Sequence, residues 1–334
     1  MKAKWLLFIY TVFFLSNSYA GDIQLLVWRP ASDSPAYILP QKTGETARQA
    51  IERYRAFLFS DTGLKAVAPP TMFENGEGAV EALHDGGAKA LFVANKEQDH
   101  IEDSTRYQKF QKQITGTENY LLPLGAAARL HGADREAFHQ AVIKQFSGLI
   151  LMGGKDWTPS TYGHEVTYAV DFNLERDQLE LELIRAYVKA GKGFVFGVCR
   201  GMQGTSIALG LKMIQDIPKE TTAYTPHSNN NHESFQRKTS YRILEGFLGG
   251  AQPYDMYSWH HQAVVYEANP YLTIAAISPE GITEALEFSN GKGLLIQSHP
   301  ELTNSSKARK IMSGVSSMIV STSLARSCGR TFSK

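Results

Sequence analysis

Two short stretches of the chain carry residue types that could do covalent chemistry together. In Gly197-Val198-Cys199-Arg200-Gly201-Met202-Gln203 a cysteine stands between glycines directly after the apolar run Phe194-Val195-Phe196. A glycine on each side lets a strand turn sharply into a helix, which would hold the Cys199 sulfur at a helix N-terminus above a sheet edge. That is where a nucleophile is presented. A cysteine nucleophile needs a base to take its proton, and the base needs a partner to orient it. His299-Pro300-Glu301, about a hundred residues downstream, holds both types. The proline restricts the backbone, so an imidazole and a carboxylate two residues apart can share one geometry. Alone this tripeptide is a weak signal, but its order behind a glycine-flanked cysteine makes the joint pattern specific.

The elements that must position these residues alternate between strand-like and helix-like. That alternation predicts an α/β fold: a three-layer, open, mostly parallel sheet with helices on both faces. Strands are expected at 23–28, 90–94, 148–152, 194–198 and 294–297, the last delivering Ser298-His299-Pro300-Glu301 at its carboxyl end. In open α/β sheets, sites lie at the carboxyl ends of strands. Helical spacing runs over 45–59, 78–84, 135–145 and 201–209, and over a longer helix with Asn173 as N-cap and Gly191 closing it after Ala190. The stretch from His227 to His232 reads as a polar, asparagine-rich loop, with short strands from Tyr241 and around Val264 and Ile274. A single domain over 21–325 is expected, with insertions near 30–60 and 95–119 and a polar tail over 326–334.

Composition narrows the function classes. At 334 residues and 43% hydrophobic, the chain can bury a large core. Its net charge of +1 argues against nucleic-acid or membrane-surface binding through a general field, and favours a small neutral or zwitterionic substrate. Residues 1–20 read as a secretory signal: Lys2 and Lys4, an apolar stretch from Trp5 to Leu15, then Ser18-Tyr19-Ala20 before Gly21. The apolar stretch is too short to span a bilayer, so the expectation is a secreted or periplasmic protein with no stable membrane insertion after cleavage. Of the two cysteines, Cys328 sits in the polar run Ser327-Cys328-Gly329-Arg330, and a free thiol at Cys199 is expected rather than a bridge.

The run Cys199-Arg200-Gly201-Met202-Gln203 resembles the nucleophile turn of class I glutamine amidotransferase-like proteins, specifically their peptidase C26 or γ-glutamyl hydrolase branch. Further stretches agree in order: Gly153-Gly154-x-Asp156-x-x-Pro159-x-x-Tyr162, Arg176-Asp177-x-x-Glu180-x-x-Leu183, Gln215-Asp216-Ile217-Pro218, His260-His261-Gln262-Ala263-Val264 and Gln297-x-His299-Pro300-Glu301. The likeness runs from about Leu122 to Leu302. It implies a flavodoxin-like fold and a Cys-His-Glu triad of Cys199, His299 and Glu301, with backbone N–H groups of Gly154 and Arg200 as the oxyanion hole. It also implies Gln203, His261 and Ser258 on the substrate side, and no cofactor. Two positions depart from the family pattern: Tyr257 stands where asparagine is common, and Ser298 where an aromatic is common.

His260 reads as a packed structural residue. A metal site is not expected, because neither His260-His261 nor His227 with His232 brings an acidic or cysteine cluster at ligand spacing. The expected function is an exported cysteine hydrolase that cleaves γ-glutamyl amide bonds of a small-molecule substrate through a γ-glutamyl thioester. Two alternatives stand beside it: a glutaminase-type amidotransferase subunit, and a non-catalytic binding protein on the same scaffold. The oligomeric state, a homodimer included, is left open.

Overall fold

The runs Leu149-Ile150-Leu151 and Phe194-Val195-Phe196 offer no polar side to water, so as strands they need cover on both faces. The computed structural model, which describes residues 23–29, 36–60, 79–94, 108–128, 130–223 and 227–331, provides that cover. In chain order the elements begin with β1 (Gln24–Arg29), β2 (Tyr37–Gln41), α1 (Ala47–Ser60), β3 (Ala79–Ala82), β4 (Lys89–Ala94), β5 (Glu118–Pro123) and α2 (Gly125–Ala128). Then come α3 (Gly132–Gln145), β6 (Gly148–Leu151), α4 (Leu174–Ala190), β7 (Phe194–Val198), α5 (Arg200–Ala208), β8 (Lys212–Ile214) and α6 (Ile217–Glu220). The last are β9 (Ser228–Gln236), α7 (Ile243–Leu248), β10 (Tyr254–Trp259), β11 (Ala263–Val265), β12 (Leu272–Ile277), β13 (Thr283–Phe288), β14 (Gly293–Ile296) and α8 (Ser306–Thr331). The expected signal peptide lies outside the described residues.

A 12-stranded sheet runs β10-β9-β12-β13-β14-β7-β6-β4-β5-β2-β1-β3. From β14 to β2 the neighbours are parallel. Both flanks are antiparallel, through β1 and β3 on one side and through β13, β12, β9 and β10 on the other. Strand alternation divides the core into two layers. Ile150, Phe194 and Phe196 pack with Ile311, Val315 and Ile319 of α8, while Leu149, Leu151 and Val195 pack with Val142 of α3, Ile184 of α4 and Met202 of α5. This is the three-layer, flavodoxin-like α/β architecture. Each such buried side chain contributes about 1.5 to 3 kcal/mol relative to exposure.

Register then decides which loops meet. Val198 of β7 is level with Ile296 of β14, and Gly197 with Leu151 of β6. The segments leaving these neighbouring carboxyl ends, from Met152, Cys199 and Gln297, therefore emerge side by side.

Several elements differ from expectation. Residues 79–82, within a stretch expected to be helical, form β3 and pair with β1, because a window this short cannot separate the two periods. The expected loop from His227 to His232 is largely β9, whose His232 and Ser234 point inward while Asn231 and Glu233 face solvent. Tyr241 lies in a bend ahead of α7 rather than in a strand. In the two expected insertions, 37–41 and 47–60 form β2 and α1, and Phe110, on a helical turn at 108–113, packs edge-on between Phe92 and Phe196 at 5.3 and 6.4 Å. The expected polar tail continues α8 to Thr331, and Arg326 donates to the Ile143 and Phe146 carbonyls of the α3 end at 2.8 and 2.6 Å. Among the described residues, no helix is long and apolar enough to cross a membrane.

Candidate active site

Cys199 is the N-cap of α5, with φ 51° and ψ −110°. A non-glycine residue at positive φ costs roughly 1 to 3 kcal/mol and persists only where its surroundings impose it. Here its N–H donates to Ile296 O at 2.8 Å, and its carbonyl accepts from Gln203 N at 3.1 Å. The turn also needs room. A Cβ on Gly201 would lie 2.2 Å from Leu151 O, so any side chain there would push α5 off β6. A Cβ on Gly153 would lie 2.8 Å from His299 Cε1 and 3.6 Å from Cys199 Cβ, which marks Gly153 as the floor where the three emerging segments meet.

His299 Nδ1 donates to Glu301 Oε1 at 2.7 Å, which leaves Nε2 for its hydrogen bond to Cys199. Burial alone would lower the imidazole's pKa, but the Glu301 and Cys199 charges and its hydrogen bonds to both hold it well above its usual value. The main chain fixes this ring from two sides: His299 N–H donates to Tyr257 O at 2.8 Å, and Thr303 Oγ1 donates to His299 O at 2.8 Å. The Cys199 thiol faces the Trp259 carbonyl at 3.7 Å, and the Trp259 side chain is 50% exposed. The fold thus brings Cys199, His299 and Glu301 together.

Below the elbow lies a buried ionic layer. The Arg200 guanidinium, fully buried, donates to Asp177 Oδ1 at 2.6 Å and to Glu180 Oε2, and stacks 3.8 Å over the Trp157 ring. Burial disfavours its charge, but Glu180 and Asp177 outweigh that and raise its pKa. Trp157 Nε1 donates to Arg200 O at 3.0 Å, so ring and ion pair both hold the first turn of α5 against α4. The matching stretches around Asp156, Arg176 and Gln215 have structural work too. Asn173 Oδ1 accepts from Arg176 N at 3.0 Å as the helix cap. Gln215 Oε1 accepts from the consecutive N–H groups of Thr167, Tyr168 and Ala169 at 2.9, 3.0 and 3.1 Å.

The remaining expected site residues divide. Arg200 N opens α5 beside the sulfur, and Gly154 follows Gly153 at an exposed position. Gln203 is buried, and its Nε2 donates to Gln262 O at 3.2 Å and Gln297 Oε1 at 3.3 Å, joining the ends of β14 and β11. His261 is half-buried between Asp156 Oδ1 at 2.9 Å and Asp216 Oδ2 at 3.4 Å. The hydrogen bond to Asp156 first, then Asp216, raises its pKa against partial burial. Ser258 is a correction: it is fully buried on β10, and its hydroxyl lies 3.1 Å from His232 Nε2, inside a histidine cluster.

That cluster also corrects the expectation about ligands. His227, His232 and His260 converge on Glu284 of β13, whose Oε1 lies 3.3, 3.6 and 4.0 Å from their nitrogens. No local spacing could reveal it, because the carboxylate comes from another strand; the wholly buried strand Thr283–Phe288 holds two glutamates, of which Glu287 accepts from Thr239 and Leu244 and Glu284 faces the histidines.

Residues 92–301 match the family described as peptidase C26. The chain is 35% identical over 181 residues to protein NtpR of Enterococcus hirae, covering 50% of this chain and 72% of that one. It is 31% identical over 164 residues to YvdE of Lactococcus lactis, named as a glutamine amidotransferase-like protein, covering 46% and 66%. Among solved structures, a Thermoplasma acidophilum protein assigned to GMP synthase superposes with a TM-score of 0.51 at 15% identity, covering 73% of this chain and 100% of that one. The glutaminase domain of Trypanosoma brucei CTPS with bound acivicin gives 0.50 at 14%, covering 69% and 94%. At such identities the structural likeness is one of fold.

Proposed function

The chain belongs to the peptidase C26 family, which supports a hydrolase-type activity, and from that premise we propose that it is an exported cysteine hydrolase of γ-glutamyl amide bonds. The observation that carries the reading is the His299–Glu301 hydrogen bond of 2.7 Å beside a cysteine on a strained elbow. Cys199 Sγ attacks the γ-carbonyl carbon, and the oxygen gathers negative charge opposite the N–H groups of Arg200 and Gly154. His299, its Nδ1–H held by Glu301, passes a proton from Nε2 to the leaving nitrogen as the C–N bond breaks and the thioester forms. Water, deprotonated by His299, then adds to the thioester carbon, releasing the γ-carboxylate and restoring the thiol.

A small-molecule substrate carrying a γ-glutamyl group would reach the sulfur past Trp259, with His261 between its two aspartates on the wall beside the elbow. Residues 1–20 are proposed as a cleaved signal; recovery of cytoplasmic protein with Met1 intact would refute export. The second reading, a glutaminase, draws on the relatives named as glutamine amidotransferase-like. One experiment separates the readings: incubate the protein with γ-glutamyl peptides, γ-glutamyl amines, poly-γ-glutamate, free glutamine and ordinary α-linked peptides, and follow released glutamate and peptide fragments by mass spectrometry. Turnover of γ-glutamyl amides above glutamine supports the hydrolase. Turnover of glutamine alone supports the glutaminase, and cleavage of α-peptides only refutes both.

A further inference from the structure

The chemistry assigned to Cys199 makes no use of the histidine cluster on the antiparallel flank. His227 just before β9, His232 within β9, His260 after β10 and Glu284 in β13 are 5%, 5%, 5% and 0% exposed. Each offers one ligand atom, and these atoms all lie within 4.8 Å of one another. Buried polar groups are nearly always hydrogen-bonded, because an unmet one loses water without replacement. Yet both ring nitrogens of His227, Nε2 of His260 and both oxygens of Glu284 have no hydrogen-bond partner. Such a concentration of unmet donors and acceptors in one sealed place needs a further occupant.

Distances and tautomers say what kind. A hydrogen bond would bring nitrogen and oxygen to about 2.9 Å, whereas ligands about 2.0 to 2.1 Å from a tetrahedral ion stand about 3.3 to 3.4 Å apart along an edge. The Glu284 contacts to His227 and His232, at 3.3 and 3.6 Å, fit the edge; His260, at 4.0 Å, needs a modest inward swing. The far nitrogens are oriented from outside, as ligating histidines usually are. His260 Nδ1 donates to Gln262 O at 2.9 Å and His232 Nδ1 to Glu233 O at 3.3 Å, which leaves both Nε2 atoms as acceptors; that of His260 has no other partner, while that of His232 lies 3.1 Å from the Ser258 hydroxyl, a hydrogen bond that the ion would replace. His260 N–H also donates to His227 O at 3.0 Å, fixing two ligand-bearing segments to each other.

We propose that His227, His232, His260 and Glu284 bind one zinc ion in a closed, tetrahedral, structural site. Three neutral imidazoles and one carboxylate suit a borderline divalent ion, and four protein ligands leave no open position for water or substrate. The ion ties β9, β13 and the segment after β10 together. Through His260 it also steadies the neighbouring Trp259 carbonyl that faces Cys199.

The full chain, purified without chelator and dialysed, should hold about one zinc per molecule by plasma mass spectrometry. Stripping with a chelator should lower the melting temperature, and Zn²⁺ alone should restore it. Cobalt(II) in its place should give the intense visible bands of a tetrahedral site. Glu284→Gln and His227→Asn should each lose most of the bound zinc; where a variant fails to fold, the wild-type stripping and reloading decides. A metal-free wild type whose melting is indifferent to added Zn²⁺, its cluster satisfied by water, overturns the proposal. So does full zinc occupancy in both folded variants. Stoichiometric binding of another first-row ion overturns the choice of zinc.

Discussion

Two clusters of histidine and glutamate stand in the same sheet and are built on opposite terms. At the parallel centre, His299 and Glu301 leave one strand end, pair at 2.7 Å, and sit beside a half-exposed tryptophan. On the antiparallel flank, three histidines and Glu284 come from three segments, the histidine nitrogens stand 3.3 to 4.0 Å from the Glu284 carboxylate, and all four are sealed. The difference lies in where strands end. Neighbouring parallel strands release their chains at one edge, so side chains beyond them can meet each other and still face a ligand. Antiparallel strands return the chain at both edges and enclose what lies between. A site with its own partners can do chemistry; a site without them asks for an ion.

The sharpest way to break this contrast is Cys199→Ala. It should lower kcat/KM on γ-glutamyl amides by about 10⁴-fold or more while leaving the melting temperature and the flank's metal content unchanged. Residual turnover near wild type would remove the centre from consideration as the catalytic cluster. Next in size is Arg200→Leu, which strands Glu180 in the interior and leaves Asp177 to Arg176 and Thr158. Urea unfolding should show a loss of about 3 to 5 kcal/mol, and an unchanged midpoint would mean the elbow does not rest on that ion pair.

Glu301→Gln tests the centre by pH. The folded pKa of His299 is raised, so its contribution to stability is complete below the unfolded imidazole value of about 6.5 and is lost as pH rises through the folded value. Removing the Glu301 charge lowers that folded value. The alkaline limb of the kcat/KM profile should therefore move to lower pH, with a smaller stability loss on alkalinisation. An unmoved limb would separate Glu301 from the base. The smallest effect belongs to His261→Gln, outside both clusters. Its raised pKa gives a stabilising contribution present below about pH 6.5 and lost as pH rises through the folded value, but its side chain is 35% exposed, so solvent screening keeps the change under about 1 kcal/mol. Thermal melts at pH 5 and pH 9 that differ no more in wild type than in the variant would contradict it.

The centre was legible because its signals are local. Glycines around Cys199, apolar runs without a polar face, and the cap pair Asn173 and Gly191 each state their geometry within a few residues; Asn173 accepts the expected bond, and Gly191 takes a φ of 59°. The flank was not, because its inward positions are polar. Alternation in Asn230-Asn231-His232-Glu233-Ser234 is between polar residues that pair inside and polar residues that meet water, and hydropathy cannot separate them. Gln203 shows what a motif leaves out: its position in the run after Cys199 does not announce that its amide nitrogen joins Gln262 and Gln297. Phe110 shows the converse, one aromatic carrying a charged stretch into the core.

The place of β14 has a consequence in time. It follows the other described strands in sequence, yet it lies between β13 and β7, in the middle of the sheet. During synthesis the cysteine elbow is made about a hundred residues before the strand that brings its base. Until β14 arrives, no strand joins β13 of the flank to β7 of the centre, and the thiol has no imidazole. The nascent protein is thus a latent hydrolase, completed only when β14 takes its central seat; a chain ended after Phe288 should expose apolar surface to dye binding and release no glutamate.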